Sequence, residues 1–95
     1  MDTAQEIGKI QELAETFPSL RGHPHIWNWD PKALDEWAAS VGSTGERLST
    51  QFVLGVWNQF KEWRCGRFNV LDACTRWDRE HWEAFCAWAV DPFTL

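Results

Sequence analysis

The chain has no tyrosine, one methionine and no Cys-x-x-C pair, and its cysteines, Cys65, Cys74 and Cys86, are odd in number. That is not a disulfide framework. No apolar leader follows Met1, where Asp2 and Thr3 open a polar, acidic pattern. Together these predict a cytoplasmic protein with reduced thiols. No apolar run approaches the roughly 20 residues that a membrane-spanning helix needs. A glycine-rich phosphate loop, a nucleophile elbow and a Ser/His/Asp set that spacing can place are all missing, which leaves no catalytic or cofactor signature to follow. Neither an internal repeat nor a low-complexity segment is present. Positive charge is scarce: nine Lys and Arg against fourteen Asp and Glu give a formal −5 and a pI near 5.0. This argues against general affinity for nucleic acid or anionic membrane and favours a cationic protein surface as partner.

What the chain has instead is indole. Eight Trp and six Phe sit in 95 residues that are 44% hydrophobic and 24% charged, a globular composition. One domain, residues 1–95, accounts for the length, and such a chain buries roughly 60–70% of its unfolded surface. Eight Trp exceed what so small a core needs, so some are expected at the surface as interface anchors.

The organising stretch is Leu48 to Trp63. Wound as a helix it places Leu48, Phe52, Val56, Phe60 and Trp63 on one face, and Val53, Leu54 and Trp57 carry the apolar surface further round. A helix apolar beyond one stripe must be covered on several sides. The rest of the chain reads as that cover. Thr3 to Glu6 has capping-box form and opens a helix with Ile7, Ile10, Leu13, Ala14 and Phe17 inward, stopped by Pro18. Ser19 to Trp29, with Gly22 and Pro24, reads as a loop lying on the core. Asp30-Pro31 starts a helix with Leu34, Trp37, Ala38 and Val41 inward, and Asp35 and Glu36 outward. Gly42 fits a left-handed helix end, and Ser43 to Glu46 is a second capping box. Gly55, costly by about 1 kcal/mol inside a helix, implies close approach of a neighbour. Asn69 and Asp78 cap two further helices, with Val70, Ala73, Cys74 and Trp77 inward on the first, and Trp82, Phe85, Cys86 and Ala89 on the second. The only place for an extended segment is Arg67 to Leu71. The prediction is an all-α, compact single-domain bundle of about five short helices around residues 48–63.

Each chemical constellation has a plainer account. His23-Pro-His25, with Asp30, reads as solvated loop histidines rather than metal ligands. Cys74 and Cys86 fall on apolar stripes and read as core cysteines rather than a zinc site with His81. Cys65, near Arg64 and Arg67, is the one thiol whose neighbours favour a thiolate. Lys61, Arg64, Arg67, Arg76 and Arg79, interleaved with Trp63, Phe68, Trp77 and Trp82, form the alternative nucleic-acid face. The spacing of Arg76 to Glu80 and Arg79 to Glu83 favours an ion-paired helix face instead.

The net charge belongs entirely to residues 1–46, which hold eight acids and three bases, whereas the remainder balances six against six. The first expectation is therefore a non-enzymatic, protein-binding domain using Glu6, Glu12, Glu15, Asp35 and Glu36, with Trp27 and Trp29 as anchors. In size, charge and composition the chain is similar to small acidic inhibitors carried by phages and mobile elements, such as anti-CRISPR and antirestriction proteins. That likeness, carried by no family motif, implies occupation of a basic, nucleic-acid-binding surface. The alternatives are the nucleic-acid module above and a structural or assembly subunit, for instance a homodimer.

Overall fold

The computed structural model describes residues 3–95 and contains six α-helices: α1 (Thr3–Glu15), α2 (Pro24–Trp27), α3 (Pro31–Ser40), α4 (Thr44–Trp57), α5 (Val70–Arg76) and α6 (Arg79–Val90). No strand occurs among the described residues, so the chain is all-α, and Arg67 to Asn69 is coil. The acidic start at Asp2 lies outside the described residues, and Thr3 is already helical.

Local chemistry starts most of these helices. Asp30 Oδ1 accepts the Ala33 N–H and Pro31 occupies the first position of α3. Ser43 and Glu46 form both bonds of a capping box at α4. Asn69 and Asp78 cap α5 and α6. The extra helix, α2, lies in the stretch expected to be a loop. Pro24 at its first position and the His23 Nδ1 acceptor for the His25 N–H are enough for one turn.

Helix α4 lies at the centre, touching α1, α3 and α5, and α2 bridges α1 and α3. Leu48, Phe52, Val53, Leu54 and Val56 are all buried, so the expected several-sided cover is present. Phe52 is the hub: its ring centroid lies 5.0–5.4 Å from those of Phe17, Phe68, Phe85 and Trp88. The closing segment runs back over the bundle. There the Leu95 N–H donates to Val56 O, and Lys9 Nζ sits 4.8 Å above the Phe93 ring. The Cα radius of gyration, 12.1 Å, is that of a fully packed chain of this length, about 12 Å.

Several expectations are corrected. Helix α4 ends at Trp57, not Trp63: Asn58 leaves helical geometry and its Oδ1 takes the Phe60 N–H, a short polar side chain competing for backbone. Phe60 is consequently 86% exposed, and Trp63 only half-buried. Asp35 does not face outward. It is buried, and its carboxylate accepts the N–H groups of Arg64 (3.0 Å) and Cys65 (2.9 Å), while Val41 is the residue turned to solvent. Helix α6 is rotated by one residue, with His81 and Ala84 buried and Cys86 exposed. Cys74 is exposed too, as is Val70. Gly42 is not left-handed; a Cβ there would lie 3.0 Å from the Ala38 Cα, so close approach is what keeps it glycine. The left-handed glycines are Gly22 and Gly66. Gly55 has no close neighbour: a Cβ on it would meet nothing within 4 Å.

Candidate functional site

Seven of the eight indoles pack on or within the core; the eighth, Trp27, is 76% exposed. Its backbone is nevertheless fixed, because the Gln11 side-chain amide donates to the carbonyls of Ile26 (2.9 Å) and Trp27 (3.0 Å). Gln11, Glu15, Ile26 and Trp27 line a shallow depression of about 250 Å³. The other expected anchor, Trp29, packs edge-on against Trp57 at 5.1 Å, with its indole N–H buried and unpartnered.

The acidic residues divide. Glu12 and Glu36 are exposed. Glu15 is half-buried, and its carboxylate receives the Gly22 N–H at 3.3 Å, tying down the turn after α1. Glu6 is half-buried where α1 meets the closing residues Thr94 and Leu95. Asp35, as described, is inside. Glu15 and Trp27 are therefore brought together, whereas Glu12 lies on another side of α1, towards α6 and residues 93–95; Asp35 is interior and Trp29 is half-buried against the core.

The cations also divide, but differently from expectation. Arg79 Nε pairs with Glu83 Oε1 at 3.3 Å within α6. Arg76 ends α5, so Glu80 is on another helix and that pair does not form. Among the described residues no acid lies within 4 Å of Lys61, Arg64, Arg67 or Arg76. Gln51, Gly55, Asn58, Lys61, Trp63 and Arg67 contribute to a depression of about 190 Å³ at the end of α4, with Phe68 at its wall. A second, of about 310 Å³, is lined by Thr44, Arg47, Gln51, Asp72, Thr75 and Arg76. Gln51 is common to both, so the two adjoin. Lys61 Nζ lies 4.5 Å from the centre of the Trp63 ring. The segment between is clamped from two helices, Asp35 holding its N–H groups and Gln51 Nε2 donating to Cys65 O at 2.6 Å. Spacing revealed the cations here, but gave no sign of Gln51 or of the bare face at Gly55.

One linear arrangement was invisible in the sequence. Asp78 Oδ1 lies 2.7 Å from His81 Nδ1, and His81 Nε2 lies 2.9 Å from Ser19 Oγ, which in turn donates to Ser49 Oγ at 2.8 Å. The order is that of a Ser–His–Asp relay. None of the depressions described here opens onto Ser19, whose own N–H also points at Nε2 from 3.3 Å. What the chain of bonds does is join α6, the turn after α1 and α4. Its bond to His81 holds the Asp78 carboxyl below the usual carboxylate range.

The remaining titratable groups carry no ligand set. No cluster of three or more His, Cys, Asp or Glu suited to a metal occurs among the described residues. His23 is not simply solvated: it caps α2 and its ring lies 4.2 Å from that of Trp37. Burial, then His25, hold it below the ordinary imidazole value. Cys65 is the reverse of a thiolate site, since burial and the adjacent Asp35 push its thiol up to about 12. Among the described residues no helix is long and apolar enough to cross a membrane. Comparison of the chain with family models, with curated proteins and with solved structures finds no match.

Proposed function

We propose that this chain is a small, non-enzymatic domain that binds another protein through the α1–α2 edge. Trp27 is the anchor, the Glu15 carboxylate lies beside it, and the exposed Glu12 and Glu36 add to the negative charge that steers the domain to a basic partner surface. The observation that carries the reading is Trp27 itself, a large ring held out in solvent by a backbone that Gln11 pins in place. A backbone already fixed loses little entropy on docking, and Trp is enriched at the energetic centre of interfaces. The charge supports the choice of partner: residues 1–46 carry the whole −5, which steers the domain toward cationic surfaces such as those that hold nucleic acid. Inhibition of a nucleic-acid-handling protein, in the manner of the small acidic inhibitors of phages and mobile elements, is the finer form of this proposal.

Affinity capture from host lysate, run in parallel with wild type, Trp27→Ala and Glu12→Lys/Glu36→Lys, tests it. A specific partner should be basic, elute with added salt, and bind the Trp27→Ala variant roughly thirtyfold more weakly. Retention of the same protein by both variants as strongly as by wild type, with the same salt dependence, would sink the proposal. Capture of only a second copy of this chain would replace it with an assembly role.

A further inference from the structure

The depression at the end of α4 is floored by a glycine that the fold does not require. Gly55 lies inside a fourteen-residue helix, where glycine costs about 1 kcal/mol relative to alanine. Such a cost is ordinarily offset by a close neighbour or a left-handed backbone. Gly55 has neither: a Cβ would enter open space, and its φ is not positive. What the missing side chain preserves is the depression. Glycine allows a ligand to approach the backbone closely, and of the helical glycines with open space around them, Gly8, Gly45 and Gly55, it is Gly55 that lies in a depression lined by both rings and cations.

The walls say what that ligand is. Asn58 and Gln59 supply amides, Gln51 offers its amide oxygen while its Nε2 holds Cys65 O, Trp63 and Phe68 supply rings, and Lys61 and Arg67 supply positive charge. Phe60, next to Lys61, is almost fully solvent-exposed. The volume, about 190 Å³, equals roughly six water molecules. That is too small for most drug-sized ligands and suits one planar ring system. Beyond Gln51 the second depression adds Arg47 and Arg76, so cations continue for more than one phosphate. None of these four has an acid within 4 Å among the described residues, although the chain holds fourteen acids. Asp72 and the neighbouring Glu62 moderate the local field without pairing. The acids of α1 and α3 act through solvent, where charge is screened over about 8 Å at physiological salt.

We propose that this strip binds single-stranded nucleic acid, with one base held over Gly55 between the amides and rings, and successive phosphates at Lys61, Arg67, Arg76 and Arg47. The site is independent of the α1–α2 edge and stands or falls separately. Amides meet the edge of a base, aromatic rings take its face, and Lys and Arg neutralise the backbone. Four phosphate contacts on a single strand give a slope of log affinity against log salt of about −3.

The test titrates the protein with a short fluorescein-labelled oligodeoxythymidylate and with thymidine monophosphate, following anisotropy and Trp fluorescence at several salt concentrations. The strand should bind at low salt, quench Trp emission, and bind far more tightly than the mononucleotide. Gly55→Leu fills the floor with a good helix former and should weaken binding roughly tenfold or more while the helical circular dichroism is unchanged. Lys61→Glu/Arg67→Glu, both at exposed positions, should reduce binding further and flatten the salt slope. Absence of binding at low salt overturns the proposal. So does a strand affinity equal to that of the mononucleotide, or one that Gly55→Leu leaves unaltered.

Discussion

Gln51 and Phe52 are consecutive residues of α4, yet the two sides of the helix they face are held by opposite means. On the Phe52 side five aromatic rings interlock, and stability comes from many weak contacts and excluded water. On the Gln51 side the backbone of Arg64 and Cys65 is held by three polar bonds, two to Asp35 and one to Gln51. Dispersed contacts degrade gradually. A clamp of three bonds depends on single atoms. The difference separates the part of the molecule that keeps it folded from the part that presents its cationic strip.

The sharpest way to break the aromatic side is Phe52→Ala. Removing a nearly fully buried ring at the centre of four others should cost about 3–5 kcal/mol. A chain of this length has roughly 5–14 kcal/mol of total stability, so the variant should sit near the edge of folding. Urea unfolding followed by far-ultraviolet circular dichroism checks it; a loss under about 1 kcal/mol would mean that the ring cluster is not the stabilising core.

On the polar side the counterpart is Asp35→Ala, which strands the Arg64 and Cys65 N–H groups. Two bonds to a charged acceptor, one at a buried donor, put the cost at about 3 kcal/mol. Asp35→Asn keeps one acceptor oxygen and should lose about half as much. The decisive reading is local. Amide hydrogen exchange should accelerate at Arg64 and Cys65 while Phe52 and its neighbours in α4 keep their protection. Uniform acceleration throughout the chain would show that the clamp is part of the global core.

These two sides were unequally legible in the sequence. Caps at Asp30, Ser43, Asn69 and Asp78 announced four helices because capping is a contact over three residues. The apolar run of α4 likewise marked the centre. What local pattern cannot carry is a polar bond across the fold. Asp35 to Cys65 spans 30 residues and Ser19 to His81 spans 62, and each buries a side chain that counts as polar. Treating Asp35 as outward turned the face of α3, and choosing Trp82, Phe85 and Cys86 as the inner face of α6 turned that helix by one position; on α5 the apolar stripe likewise took in Cys74, which is exposed. The overrun to Trp63 has the same root: Phe60 and Trp63 keep the helical period, but Asn58 decides the backbone. At the candidate edge Trp27 was legible as surplus indole, whereas its fixation by Gln11 was not. At the cationic strip composition was legible, but the break between Arg76 and Glu80 and the empty face of Gly55 were not.

A smaller effect distinguishes the α2 cap from both sides of α4. The folded pKa of His23 is depressed, so its contribution is present above the unfolded value of 6.5 and is lost as pH falls through the lower, folded value. Protonation also removes Nδ1 as acceptor for the His25 N–H. Stability measured by urea between about pH 7.5 and about pH 5.5 should therefore fall on the acid side in wild type and less steeply in His23→Asn, which retains a capping oxygen. Identical pH slopes would show that the ring is not sequestered.

The three thiols give the finest comparison, because one of them lies in the clamp and two do not. Cys74 and Cys86 are exposed and should react with a disulfide reagent at the rate of free cysteine. Cys65 is buried, and with its thiol pushed up to about 12 from 9.0 it offers about a thousandfold less thiolate near neutral pH. The raised value also fixes the sign of its linkage: its contribution to stability is complete below pH 9.0 and disappears as pH rises through about 12. Native protein should thus show two fast thiols, and denatured protein three. The rate at Cys65 then measures opening of the clamp by itself. Phe52→Ala should speed it only as much as global unfolding allows, whereas Asp35→Ala should speed it further than its loss of global stability accounts for. Should both variants expose Cys65 in simple proportion to global stability, the clamp and the aromatic cluster open as one unit, and the strip that carries Lys61 and Arg67 is as rigid as the core beneath it.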